Sequence, residues 1–568
     1  MRARILAVLT CVVLGCQVLL IGQTQVTDDA HKASIRVDTS IGWDEPALIE
    51  NEEVGDAMFP KIAMNEAGYG VVAWQQTPLP EGLVHTIWVN RYSISSGWAG
   101  PEKISSTDDL DCVEVRTDID TQGNVLAVWT AFGNGAFSIW SNKYSVGHGW
   151  GTPEMIDPNP TVSTLLADVM FDDTGNAFAF WLEYGAVKSS KYVSGTGWGP
   201  KESVSTHGVY SQPASFGLDS HGNVIAVWYD DDLYGSQTHR VWCNRYVAGI
   251  GWGTDELLMS SPGIADALVA VDDAGNAMAL WYEAKTDAIF GPKNIWSSRY
   301  DVGTDWSVPE LIQETTGDTW NMELAGDGSG NCIALWEELD TATIMYHLWT
   351  KRYSPSNGWS PSVEVGVSGY SANIDMDRDG LAVLAWMEWT QATVMSSRCT
   401  PQTDWSQPEL VGNEGSQDLY VAVDGNGNAI AAWMWWYERS NILGNRYGTT
   451  PVTVSATIAI EPETVNMASK SKWITAFIDL PGGFDVASIN VGSIRLNGQF
   501  PVTGPSDLVD YDKDKVKELM VKFDLQQIFK GNPAVASQTF TITITGWLDS
   551  GMMFEGSDTV TLLTPHTH

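Results

Sequence analysis

The sequence predicts an all-β chain: an eight-bladed β-propeller closed by an N-terminal outer strand, followed by a C-terminal β-sandwich. Three observations lead there. An Asp-x-x-Gly turn with a Trp six residues after the glycine recurs through most of the chain. The repeat lacks one strand at each end, and the two deficits match. After Thr450 the repeat gives way to runs of alternating apolar and polar residues.

The turn element occurs at Asp120/Gly123/Trp129, Asp172/Gly175/Trp181, Asp219/Gly222/Trp228, Asp272/Gly275/Trp281, Asp327/Gly330/Trp336, Asp377/Gly380/Trp386 and Asp424/Gly427/Trp433, with Asn65/Gly68/Trp74 as a first copy. Successive tryptophans lie 47 to 55 residues apart, the length of one four-stranded blade. A second element is a basic residue before Tyr, at Arg91, Lys143, Lys191, Arg245, Arg299, Arg352 and Arg446, with Arg398-Cys399 degenerate. A third is Gly-Trp or Asp-Trp at Trp43, Trp98, Trp150, Trp198, Trp252, Trp306, Trp359 and Trp405.

In the fifth repeat these elements place strand A at 268–271, B at 276–281, C at 294–300 and D at 306–312. The turn glycine supplies a left-handed backbone, and the Asp carboxylate accepts backbone N–H groups. Strand B is apolar on both faces, as a strand sandwiched between neighbouring sheets must be. Trp43-Asp44-Glu45-Pro46 is a D strand with nothing before it, and the eighth repeat ends at Arg446-Tyr447 without one. The first is therefore expected to complete the second, closing a propeller over about residues 34–450 and removing exposed sheet edges.

Asp301-Val302-Gly303-Thr304-Asp305-Trp306 matches the Asp-x-Gly-x-x-Trp part of the Asp-box, so the repeats resemble degenerate Asp-box blades of sialidase-like propellers over roughly three quarters of the chain. Gly147/Trp150, Gly195/Trp198 and Gly249/Trp252 keep the spacing without the aspartate. The resemblance implies a structural turn on the face away from any active site, and so speaks to fold rather than catalysis.

The ends carry separate messages. Arg2 and Arg4 precede an apolar run to about Ile21, the pattern of a secretory signal over residues 1–23. Val13-Leu14-Gly15-Cys16 resembles a bacterial lipobox, which would make Cys16 the site of lipid attachment. Cleavage near Gly22 or Gln23, or retention as an anchor, fits the same run. Cys112, Cys243, Cys332 and Cys399 sit far apart at strand-like positions and read as buried thiols. Residues 451–564 read as a β-sandwich of Ig-like type, and the stretches 458–497 and 511–524 resemble a small domain appended to bacterial and archaeal exported proteins. There Asp510, Asp512, Asp514 and Glu518 fall at positions 1, 3, 5 and 9 of an EF-hand-like loop, a candidate calcium site. Lys515 at the turn-glycine position and Val521 at the bidentate-acid position depart from that pattern, and an acidic turn is the plain alternative.

A net charge of −39 lacks the basic footprint that phosphate binding needs, so no nucleic-acid partner is expected. In a propeller the B–C and D–A connections share one face. Just past the strand-B tryptophans stand Glu183, Asp230, Glu283, Glu338 and Glu388, with Trp389, Trp435 and Trp436 nearby. Carboxylates that accept hydroxyl hydrogen bonds beside flat aromatic faces suit a carbohydrate. The bland reading is that these acids repeat because the blade does and merely solvate its rim. Most arginines belong to the strand-C repeat, and no Gly-x-Ser-x-Gly elbow, P-loop or HExxH occurs. No catalytic residue is assigned. The expectation is an exported, cell-surface, non-catalytic module binding an extracellular glycan or surface protein. The alternatives are a glycoside hydrolase or lyase on the same scaffold and a structural envelope or matrix protein. Membrane attachment is expected only through the N-terminus.

Overall fold

A computed structural model describes residues 35–36 and 41–563, save short internal stretches, among them 78–83, 158–163, 207–213, 232–238, 286–290 and 529–537. The described chain is all-β apart from single helical turns at Val486–Ser488 and Leu525–Ile528. The signal segment and Cys16 lie outside the described residues. No described helix is long and apolar enough to cross a membrane.

Eight antiparallel sheets follow one another, each a meander of successive strands. Their first strands are Ala57–Met64, Asp111–Ile119, Thr164–Phe171, Ser215–Leu218, Ile264–Val271, Thr319–Gly326, Gly369–Met376 and Gln417–Val423. Each packs beside the first strand of the next sheet, and the eighth packs beside the first. The eighth sheet takes its last strand from the other end of the chain, with Trp43 opposite Tyr447 and Leu48 opposite Leu443.

Apolar second strands build a separate core at each joint between sheets. Phe180 and Trp228 share the third joint, Trp336 and Leu280 the fifth, and Trp74 packs with Ala432 and Met434 where the eighth sheet meets the first. The eight repeat tryptophans are at most 1% exposed, so each is a full hydrophobic anchor. Close approach limits residue size here: a Cβ on Gly217 would come within 2.4 Å of Val271.

The turn aspartates act as expected. Asp272 Oδ1 accepts from Ala274 N at 3.0 Å and Asn276 N at 2.8 Å, and Oδ2 accepts from Asn276 Nδ2 at 2.8 Å. Asn65 does the same with one oxygen, accepting from Ala67 N and Tyr69 N. The asparagine after the glycine adds a tie: Asn276 Oδ1 accepts from Val302 N in the turn between third and fourth strands. Two boundaries of the fifth sheet differ from expectation. Its first strand begins earlier, at Ile264, and its fourth begins only at Glu310, with Trp306 making a single bridge to Tyr300. Pro309 lies between that bridge and the strand and has no N–H to give.

The basic-Tyr motif proves to be a joint between sheets. Arg91 stacks over Tyr144 of the next sheet at 3.8 Å, Lys143 over Tyr192 at 4.8 Å, Arg245 over Tyr300 at 4.6 Å and Arg398 over Tyr447 at 3.3 Å. Arg446 bonds the Tyr92 phenol, joining eighth sheet to first. The four cysteines are buried and unpaired, and burial pushes the Cys112 and Cys399 thiols up to about 11.

Beyond Thr450 two sheets share one core that contains Val454, Ile474, Phe523 and Phe554. One is antiparallel over Thr457–Glu461, Trp473–Asp479, Glu518–Asp524 and Asp507–Val509; the other is built on Gln538–Leu548 and Met553–Leu563. Ile35–Arg36 pairs with Thr453 and Val454 in the second.

Candidate functional site

The five rim acids end second strands, and each is held inside its own surroundings. Glu183 accepts from Lys201 Nζ at 2.7 Å, and the same ammonium meets Asp157 at 2.7 Å. Asp230 is buried and accepts from Arg240 Nε at 3.1 Å and Trp242 Nε1 at 2.9 Å. Glu283 accepts from Ser261, from Asn294 Nδ2 at 3.2 Å and from Trp296 Nε1 at 3.1 Å. Glu388 accepts from Thr393 Oγ1 at 3.3 Å. No hydrogen bond or ion pair among the described residues joins one of these acids to another. Trp435 is half-buried and Trp436 is 62% exposed; Trp389 lies outside the described residues.

Glu338 differs in its setting. Its Oε1 accepts from Thr316 N at 2.7 Å, Thr316 Oγ1 at 2.9 Å and Gly317 N at 2.9 Å. It thereby fixes the connection from the fifth sheet to the sixth. The residue lines an open groove of about 510 Å³ with Gln313, Asp340, His347, Trp349 and Glu364. His347 Nδ1 sits 2.8 Å from Glu364 Oε1. Carboxylates, a carboxamide, an imidazole and an indole thus border one hollow, a set that can receive hydroxyl groups and the flat face of a ring.

A second polar site lies where the first strands meet, and sequence reasoning missed it. Four residues before each turn Asp or Asn stand Lys61, Arg116, Asp168, Ser215, Leu268, Glu323, Asn373 and Tyr420, one per sheet. Two residues earlier the backbone turns to positive φ at Phe59, Glu114, Asp266, Asn321, Ser371 and Asp418. At most of these first strands the pairing register shifts around that residue, a bulge that re-aims the side chains after it. Lys61 Nζ donates to the Tyr420 hydroxyl and lies 3.8 Å from the centre of that ring. Burial, then the charge of Arg116, pulls Lys61 down to about 7. Burial pushes Glu323 up to about 7 and Tyr420 up to about 12, and raises Asp168 and Asp418.

Other polar groups of these strands splint neighbours. Asp118 Oδ2 accepts from Phe171 N at 2.6 Å, Asn373 Oδ1 from Val421 N at 2.9 Å and Asp375 Oδ2 from Val423 N at 2.9 Å. Asp118, Asn373, Asp375 and Tyr420 line a cavity of about 500 Å³. Arg378 lines it too: its Nη2 lies 3.0 Å from each Asp173 oxygen and 3.5 Å from Asp273 Oδ1, while its backbone N donates to Glu66 at 3.3 Å. Three turns of different sheets are therefore gathered on one arginine.

For calcium, the described geometry is limited. Glu518 is buried and accepts from Tyr511 N at 2.6 Å, and Asp510 accepts from Lys515 N at 3.4 Å. Asp514 lies outside the described residues. Among the described residues no group of three or more His, Cys, Asp or Glu is arranged to hold a metal ion.

No protein-family model matches the chain, and no curated protein matches it. Among solved structures it is similar to a puromycin hydrolase (13% identity over 70% of this chain and 62% of that one, TM-score 0.41). It is also similar to a PL25 ulvan lyase (13%, 65% and 97%, TM-score 0.40) and to the α-L-arabinofuranosidase Arb93A from Fusarium graminearum (11%, 61% and 95%, TM-score 0.33).

Proposed function

We propose that the eight sheets are the blades of a closed β-propeller, that the C-terminal pair is a β-sandwich, and that the chain is an exported, cell-surface, non-catalytic module for an extracellular glycan. One observation carries this reading: the groove of about 510 Å³ in which Glu338, Asp340 and Glu364 surround Trp349. Carboxylates bind sugar hydroxyls in pairs, and an indole face covers the apolar side of a pyranose. A glycan array probed with the mature chain tests it. Glu338→Gln keeps the acceptor for Thr316 and Gly317, while Trp349→Ala removes the platform. Each should weaken glycan binding by about tenfold, one hydrogen bond or one ring contact's worth. Unchanged binding in both variants would remove the groove from consideration.

A second reading, glycoside hydrolase or lyase, is favoured by the Lys61–Tyr420 contact beside Glu323, where burial brings Lys61 and Glu323 both to about 7. Incubation with polysaccharides, read as reducing ends and unsaturated products, distinguishes it. Activity lost in Lys61→Met would support catalysis at the axis, and no product from any polysaccharide would leave only binding.

A further inference from the structure

In seven of the eight joints a cation of one sheet faces a phenol of the next: Arg91–Tyr144, Lys143–Tyr192, Lys191–Tyr246, Arg245–Tyr300, Arg299–Tyr353, Arg398–Tyr447 and Arg446–Tyr92. In several the pair is also a hydrogen bond to the phenol oxygen, as between Arg245 and Tyr300. The joint between the sixth and seventh sheets is the exception, because Cys399 stands where the tyrosine should be. Arg352 there donates instead to the carbonyls of Thr400 at 3.0 Å and Thr403 at 2.7 Å, and reaches the Cys399 thiol.

The space left by the ring is not filled. At this joint lies a cavity of about 230 Å³ lined by Tyr353, Trp359, Met376, Pro401, Cys332, Cys399 and Arg352. The equivalent hollow between the first and second sheets is bordered by Arg91, Tyr92, Ile119 and Val146, with Gly70 for Cys332 and Tyr144 for Cys399, and measures about 170 Å³. Both hollows exceed the roughly 150 Å³ that admits benzene in an engineered apolar site, and the one at the Cys399 joint is larger by about 60 Å³. Sulfur and aromatic edges favour a ring, and a cation that meets a phenol oxygen elsewhere in the same molecule favours a hydroxyl on it.

We propose that the joint between the sixth and seventh sheets is a binding site for a small free phenol, its ring seated beside Cys399 and its hydroxyl toward Arg352. The repeat supplies the template for the ligand, since the vacated group is itself a para-substituted phenol.

The test uses the full chain and 4-fluorophenol, followed by fluorine NMR. Saturable broadening that p-cresol displaces is expected, with fluorobenzene about five- to tenfold weaker because it cannot meet Arg352. Cys399→Tyr should abolish binding by restoring the missing ring, and Cys399→Leu serves should that variant fail to fold. Arg352→Met should weaken the phenol to the level of fluorobenzene. Absence of saturation by about 10 mM overturns the proposal. So does binding that persists unchanged in the Cys399 variants, because it would then lie elsewhere.

Discussion

Trp43 donates its indole N–H to Ser396 Oγ at 2.7 Å, 353 residues away in the chain. The same bond is made by Trp198 to Ser141, Trp252 to Ser189, Trp359 to Ser297 and Trp405 to Thr350, each from a fourth strand to the preceding sheet. A residue from before the first sheet therefore fills the eighth sheet's place in a set whose other members come from the third, fourth, sixth and seventh repeats. Its ring also meets Tyr447 edge-on at 5.6 Å. Trp43→Ala removes a half-buried indole and one hydrogen bond, and should cost about 2–4 kcal/mol. Denaturant unfolding followed by tryptophan fluorescence reads the loss as a lower midpoint. A midpoint unchanged from wild type would mean the strand adds nothing to the eighth sheet.

The turn carboxylates allow a sharper comparison. Asp272→Ala leaves Ala274 N and Asn276 N without an acceptor in a buried turn, and should cost about 2–3 kcal/mol. Asp272→Asn keeps one acceptor oxygen, as Asn65 does in the first repeat, and should cost less than about 1 kcal/mol. Thermal unfolding of the two variants side by side checks the order, and equal losses would contradict this role for the carboxylate.

Stability should depend on pH through the buried acids of the first strands. Burial pushes Glu323 and Asp118 up to about 7 and Asp375 up to about 6. Between the ordinary carboxylate range and those values the folded chain holds protons that the unfolded chain has released. Their stabilising contribution is thus present in acid and is lost as pH rises through about 6 to 7. Lys61, pulled down to about 7, lacks a proton that the unfolded chain keeps up to about 10.5, so its contribution improves across that higher window. Folding free energy should fall by about 1–2 kcal/mol between pH 4.5 and 7, a value discounted for partial exposure of these groups. Glu323→Gln should flatten the decline, and an identical slope in that variant would refute the assignment.

Arg378 holds Asp173, Asp273 and Glu66 together against their mutual repulsion. Arg378→Ala should destabilise by about 1 kcal/mol at low ionic strength, with most of the loss erased in 1 M salt, where screening acts within a few ångströms. A loss independent of salt would point to packing instead of charge.

What sequence reading reached and missed has a physical basis. Trp129, Trp181 and their equivalents were legible because every joint makes the same demand for a large buried ring, so the residue recurs at fixed spacing. The pairing of Trp43 with Tyr447 followed from complementary deficits. Lys61, Arg116, Glu323 and Tyr420 were not found because this first-strand position is occupied differently in each sheet, and a search for sameness passes over such a column. Aligning the repeats on the turn aspartate would have exposed it, as a position that is polar in seven of the eight repeats and never the same residue twice. The rim acids show the opposite case. Glu183 and Asp230 share a place in the repeat, but Lys201 and Arg240, which decide their environment, belong to no motif.

Because Trp43 pairs with Tyr447, the outer strand is synthesised about 400 residues before its partner. Seven sheets can assemble as they emerge, but the molecule cannot latch until its last repeat has been made. The early strand must wait, unpaired, while the strands between Trp43 and Tyr447 are made. Loop closure over that separation is slow relative to local pairing, so the final latch is the step at which a partly assembled chain is most open to a neighbour's stray strand.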